Sequence, residues 1–273
     1  MENVLHIKTL TTLQEVKSVQ AVEEQVWNSP SIPEHQIYTA IQNGGILLGA
    51  YLDNNLIGFL YSFPGYKEGS IYLCSHMLGI LPGYRKSGIG HQLKEKQREL
   101  ALQKGYSLIT WTFDPLESVN AYLNIHKLKG ITGSYLENHY GNLNDSLNQG
   151  MPTDRFLVEW WINSKHVNDE NTNSLSINEY KALIAIEQDK LGFPYIVDTY
   201  NQELSQNHYL VPVPENFQQI KKDRPELAME WRLETRTQFQ KLLSKGYVAA
   251  DIRRESKNGV SYYVFSLKNS LSI

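Results

Sequence analysis

The sequence holds a single cysteine, Cys74, in 273 residues, so no disulfide can form within the chain. That excludes a disulfide-stapled secreted scaffold and leads us to expect a reducing, cytoplasmic setting. One cysteine also rules out zinc sites built on Cys pairs, and no HExxH occurs, so no metal is expected. Long apolar runs are missing. Nothing approaches the ~18 residues of a membrane span, so no membrane partner is expected. The opening MENVLHIKTLTTLQEVKSVQ has no unbroken apolar core and carries an early acid, unlike a secretory signal. Positive charge is scarce as well. Lys and Arg number 26 against 29 Asp and Glu, a net charge of −3. No overall field exists to hold nucleic acid, and any polyanion site must be local. A Walker-type GxxxxGK[ST] is absent.

What is present is ordinary for a globular chain, 41% hydrophobic and 20% charged. Such a length suits one large domain or two of common size. VLHIKTL reads as a first strand. Leu13, Val16, Val19, Val22 and Val26 then recur at helical spacing up to Trp27. After the NSPSIP break, EHQIYTAIQNGG predicts a short helix with a glycine stop. ILLGAYL, DNN and LIGFLYSF predict a hairpin. IYLCSHMLGI, residues 71–80, predicts a strand with Tyr72, Cys74, His76, Leu78 and Ile80 on one face. Strict alternation puts Leu73, Ser75, Met77 and Gly79 on the other. HQLKEKQRELALQKG predicts a helix, YSLITWTF a strand, DPLESVNAYLNIHKLKG a turn and helix, and ITGSYLENHY and DRFLVEWWI two more strands.

After Trp161 the texture turns polar and Asn-rich, as in a linker. We expect one domain over 1–163, a linker over 164–177 and a smaller α+β domain over 178–273. The tail predicts strands at YKALIAIE, PYIVDTY and HYLVPVP, a long helix over PELAMEWRLETRTQFQKLLSKG, and strands at YVAADIR and VSYYVFSL. QKGYSLITW and SKGYVAADI echo each other as helix, Lys-Gly-Tyr, strand. They are read either as a common joint or as the trace of a degenerate repeat.

Between the strand ending at Ile80 and the following helix lies YRKSGIG, residues 84–90. The first N–H groups of a helix have no partners inside it, and with the helix dipole they attract anions. Gly88 and Gly90 let a phosphate approach the backbone. Arg85 and Lys86 add charge, and Ser87 adds a donor. Taken alone, the pattern is either this or a turn with a solvated basic rim. No third glycine follows, so a Rossmann fingerprint is excluded.

In context, LGILPGYRKSGIGHQL resembles the coenzyme A loop of the GNAT superfamily of N-acyltransferases. Ile80, Pro82, Arg85, Gly88 and Gly90 stand in the register of that loop. The order of predicted elements over Val4 to Ile162 is similar too. DPLESVNAYLN followed by PTDRFLVEWW looks like a bacterial branch that carries a C-terminal extension. The resemblance implies an α/β fold of GNAT type, a mixed and mostly antiparallel sheet flanked by helices, followed by the α+β tail. It implies acetyl-CoA as co-substrate and a small-molecule amine or amino acid as acceptor. Succinyl-CoA is the alternative donor, and a non-catalytic CoA-binding regulator is the alternative role. It leaves room for a homodimer.

By the same resemblance, the pyrophosphate sits on Arg85, Lys86, Ser87, Gly88, Ile89 and Gly90. The pantetheine arm lies along Met77, Leu78, Gly79 and Ile80, and a backbone N–H near Leu78 polarises the acyl carbonyl. Direct attack by an amine then needs a base. His76, with an ordinary pKa near ~6.5, is the first choice; the alternative is a histidine packed in the sheet. Cys74 is more simply a small core residue. The family's helix tyrosine, its general acid, has no counterpart here. Tyr122 or His126 serves instead, or the thiolate leaves unassisted. Asn120 either contacts the pantetheine arm or caps a helix. Arg155 either clamps a carboxylate or pairs with Asp154 or Glu159. Trp27, with Ile32 and Pro33, lies where the loop over the acceptor runs in this fold. Trp111, Trp160 and Trp161 are read as packing residues.

Overall fold

The computed structural model describes residues 4–28, 30–143, 148–169, 177–200, 203–255 and 258–273. The chain forms two compact units, one running to Trp111 with Trp161–Asn163 added, the other comprising Thr112–Trp160 and Ser164–Ile273.

The first unit contains β1 (Leu5–Thr9), α1 (Leu13–Trp27), α2 (Glu34–Gln42), β2 (Ile46–Leu52), β3 (Asn55–Lys67), β4 (Ser70–Ile80), α3 (Ile89–Gln103) and β5 (Leu108–Phe113). The last two residues of β5 count with the second unit. Thr12 starts α1 with a capping box: its hydroxyl accepts from the Glu15 N–H, and the Glu15 carboxylate accepts from the Thr12 N–H at 3.0 Å. Hydrogen bonds from Lys8 and from the Thr11 N–H hold the Glu15 carboxyl at about 2. Val16, Val19 and Val22 form the buried stripe that the spacing predicts. They pack with Leu10, Ile37, Leu47, Phe59 and Tyr61 into a core between the sheet and α1 and α2. α3 lies against the opposite face, where Lys94 reaches Ser75. Strand order is β1-β2-β3-β4-β5, antiparallel except for β4 with β5.

One irregularity in this sheet shapes everything near its end. Tyr61 faces Met77 and the next residue, Ser62, faces Ser75, so His76 has no cross-strand partner. It is the extra residue of a β-bulge. Strict alternation placed Met77 and Gly79 opposite His76, and the structure corrects this. Met77 packs on the cluster of Phe59 and Tyr61. A Cβ on Gly79 would meet Phe59 and the Trp27 ring, each at 2.9 Å. His76 itself contacts Tyr61 and Phe63. Alternation belongs to an unbroken ladder, and one inserted residue inverts it.

The second unit contains α4 (Ser118–Ala121), a π-helical turn Tyr122–Lys127, β6 (Ile131–Leu136), β7 (Arg155–Trp161), α5 (Lys165–Asn168), β8 (Lys181–Ala182), β9 (Ile184–Gln188), β10 (Pro194–Thr199), β11 (His208–Pro214), α6 (Phe217–Asp223), α7 (Pro225–Ser244), β12 (Tyr247–Glu255) and β13 (Val260–Leu267). Its strand order is β7-β6-β12-β13-β11-β8, with β9 and β10 pairing separately. Phe156, Phe239, Tyr263 and Phe265 form an aromatic core, with Phe156 and Phe239 centroids 4.8 Å apart. Arg232 of α7 grips Asp114 with two hydrogen bonds of 2.9 and 2.6 Å.

The mixed, mostly antiparallel sheet with helices, and the further strands and helices of the tail, match the expected fold class. Compactness divides the chain elsewhere than its polar texture does. Residues 112–160 group with the tail because β6 pairs with β12 and Asp114 is held by Arg232. Of the expected linker, Lys165–Asn168 is a short helix capped by Ser164, while 170–176 lie outside the described residues. The Lys-Gly-Tyr echo does not extend to topology. β4 and β5 pair directly, whereas β13 separates β11 from β12.

Candidate active site

β4 delivers the chain at Ile80 into a 3-10 turn, Pro82–Tyr84. Two side chains fold this loop onto itself. Arg85 Nε donates to the Ile80 carbonyl at 3.0 Å, and Ser87 Oγ donates to the Tyr84 carbonyl at 2.6 Å. Lys86 and Gly88 both take positive φ, 63° and 84°, which curls their N–H groups to one side. Gly88 caps α3 without a side chain, and a Cβ placed on it would touch nothing within 4 Å. Residues 82–88 are exposed, while Ile89 and Gly90 are buried and anchor the helix start. Gln92 makes the first helical bond, to Gly88, at 3.1 Å. The six N–H groups from Lys86 to His91 find no acceptor among the described residues. Beside them stand the Arg85 and Lys86 side chains. This geometry suits a phosphate, which needs converging donors and positive charge.

Upstream, β4 pairs with β5 only at Leu73–Ile109 and Cys74–Thr110. Beyond Cys74, no strand pairs with that edge of β4 among the described residues. The backbone groups of 75–80 that turn away from β3 are therefore available to an extended ligand carrying amides. Gly79 permits Trp27 to lie against the strand here, and Trp27 also meets Phe59 edge-on at 5.9 Å. The His76 ring packs against Tyr61 and Phe63 at 6.1 and 5.6 Å, and the residue remains exposed. These apolar neighbours lower its pKa below the ordinary imidazole value. Burial pushes the Cys74 thiol up, against the pull of Lys94. It is not an activated nucleophile.

The other candidates lie in the second unit. Tyr122 and His126 share the π-helical turn and stack on each other, centroids 4.5 Å apart. His126 Nδ1 lies 2.8 Å from Asp251 of β12, and Arg254 covers the Tyr122 ring at 4.2 Å. Asn120 is exposed inside α4, whose N-cap is Glu117, so the capping alternative does not hold. Arg155 is buried. Its guanidinium donates to the Asp154 carbonyl at 2.8 Å and to Asn148 at 2.6 Å, and it lies 3.8 Å from Asp114. The ion pair expected with Asp154 or Glu159 is thus made with Asp114. The Asp154 carboxylate is taken by Arg236 and Tyr135.

One residue near the strand end escaped sequence reasoning. Lys94 of α3, 3% exposed, hydrogen-bonds Ser75 Oγ at 2.9 Å. Burial pushes its ammonium well below the usual lysine range. Amid HQLKEKQREL it looks like any surface lysine. The one available signal was its place on the buried stripe with Gly90, Gln97 and Ala101.

Residues 13–124 match the model of the acetyltransferase (GNAT) family. Among solved structures, the ribosomal-protein-S18-alanine N-acetyltransferase of Escherichia coli is 12% identical, with a TM-score of 0.48 over 64% of this chain and 100% of that one. A GNAT-family acetyltransferase of Streptococcus pneumoniae is 15% identical, with a TM-score of 0.47 over 57% and 98%. An N-acetyltransferase of Staphylococcus aureus is 15% identical, with a TM-score of 0.47 over 58% and 99%. No curated protein matches the chain. The matched segment spans β4, the 81–88 loop and α3, and over that segment the chain resembles the acetyltransferase (GNAT) family.

Proposed function

We propose that the chain transfers an acetyl group from acetyl-CoA to the primary amine of a small molecule or amino acid by direct attack of that amine. The observation that carries this is the row of six N–H groups from Lys86 to His91, flanked by Arg85 and Lys86, at the open end of β4. When bound, the co-substrate supplies an activated thioester. Its pyrophosphate is held by the backbone of Arg85, Lys86, Ser87, Gly88, Ile89 and Gly90. The backbone of Met77, Leu78, Gly79 and Ile80, on the edge of β4 past its pairing with β5, orients the pantetheine arm, and the Leu78 N–H polarises the carbonyl.

A primary amine is mostly protonated at neutral pH, so the protein must take a proton before attack. His76 is the base in this reading. A lowered pKa keeps its imidazole neutral and able to accept at pH 7. Tyr122 and His126 stand for the general acid, and Asn120 for a contact to the arm. Trp27 lines the acceptor side. Succinyl-CoA as donor drew on Arg155, whose guanidinium is already engaged by Asp154, Asn148 and Asp114, so acetyl is preferred.

A thiol-release assay tests the reading, with acetyl-CoA and succinyl-CoA against a panel of amino acids and polyamines. We expect release with acetyl-CoA and at least one amine. CoA binding without release from any donor would favour a regulatory protein and overturn the catalytic reading.

A further inference from the structure

We propose that Lys94 is a positioning residue, a strut that fixes the point where β4 parts from β5 and so shapes the seat of the pantetheine arm. This role rests on the acyl-CoA reading above. The parallel ladder ends at Cys74–Thr110, so the first residues past it are Ser75 on β4 and Trp111 on β5. One amine touches both. Lys94 Nζ donates to Ser75 Oγ at 2.9 Å and stands 3.4 Å from the centroid of the Trp111 ring.

All three side chains are buried: Lys94 is 3% exposed, Ser75 6% and Trp111 8%. Lysine is among the residues least often fully buried, and a helix surface normally lets its amine reach water. An amine kept under a sheet needs partners there, and a hydroxyl and an aromatic face are what the fork provides. Ser75 also adjoins His76, the bulged residue. A bulge can shift along a strand unless a neighbour is pinned, and the bond from Lys94 pins Ser75. The helix that presents the N–H row at its start therefore also sets the strand's register less than two turns later.

The test compares two ligands by calorimetry on the full chain. CoA carries the pantetheine arm; adenosine 3′-phosphate 5′-diphosphate is the same molecule without it. Lys94→Met keeps the length of the side chain and removes its donors, and Ser75→Ala removes the acceptor. We expect each variant to bind CoA about tenfold more weakly, the loss of one buried hydrogen bond, with the fragment unchanged to within about twofold. Ser75→Thr, which keeps the hydroxyl, should restore CoA affinity, and the double variant should be no weaker than Lys94→Met. Unchanged CoA affinity, or equal weakening of both ligands, would overturn the strut. If Lys94→Met does not fold, Ser75→Ala against Ser75→Thr decides alone. Wild-type protein that binds neither ligand would overturn the acyl-CoA reading first, and the strut with it.

Discussion

The Tyr61 ring meets the His76 imidazole edge-on, centroids 6.1 Å apart and planes at 83°. With the Phe63 ring also against it, at 5.6 Å, the histidine is disfavoured in its charged form. As a base it works when neutral, so activity should rise with pH through a value below ~6.5 and then level off as far as this group is concerned. His76→Gln should lower kcat/KM by about a hundredfold and remove that acid limb, while the acceptor amine's own titration remains. A pH-rate profile of both proteins checks this. A wild-type profile retained in the variant would take His76 out of the chemistry.

Gly88 holds φ +84° at the start of α3, with open space where a side chain would stand. Gly88→Trp should fold with a loss of about 1 kcal/mol from the left-handed backbone, because nothing collides. Its indole would nevertheless stand over the row of N–H groups, and CoA binding should be lost. Thermal melting together with calorimetry separates the two effects.

Gly79 behaves in the opposite way. A Cβ there would press on Phe59 and Trp27, both at 2.9 Å. Gly79→Ala should cost about 1–3 kcal/mol by overpacking, visible as a lower midpoint in urea. Adding Trp27→Leu should recover part of that loss.

Burial alone would raise the Asp251 carboxyl, but the hydrogen bond with His126 and the charge of Arg253 more than offset this and hold it below its usual range. A carboxyl lowered in the folded state stabilises the fold above its unfolded pKa, near ~3.9, and that contribution is lost as pH falls through the folded value. Asp251→Asn should therefore be less stable than wild type at pH 7, and the gap should narrow below about pH 4. Urea melts at several pH values measure it.

The Asp114–Arg232 pair is nearly dry, its side chains 13% and 1% exposed. Asp114→Ala strands a buried guanidinium and should cost about 3–5 kcal/mol. Replacing both residues by apolar side chains of similar size should cost much less. A double-mutant cycle read by chemical denaturation tests this.

The elements most legible in the sequence are those whose signals are local. The valines of α1 mark its buried stripe, and the glycines of the 84–90 loop mark a backbone open to anions. What stayed hidden depends on pairing across distance. Alternation along IYLCSHMLGI gives no hint that Ser62 will pair with Ser75 and leave His76 out. The partner of His126 lies 125 residues away, and that of Arg232 lies 118 away. The engagement of Arg155 with Asp114 is hidden for the same reason, since nearby acids in sequence were the natural partners to suspect.

The bulge at His76 gives β4 one position outside its reading frame. Substitutions along the strand act one position at a time. Deleting His76 would mend the ladder and leave Met77 and Gly79 facing Phe59 and Trp27, so the strand would lose its histidine and little else. The extra residue is thus tied to the histidine and not to the packing of its neighbours. Descent with a changed acceptor is expected to proceed by exchanging side chains around Tyr61, Phe63 and Trp27, with the extra residue between Ser75 and Met77 kept wherever the histidine is kept.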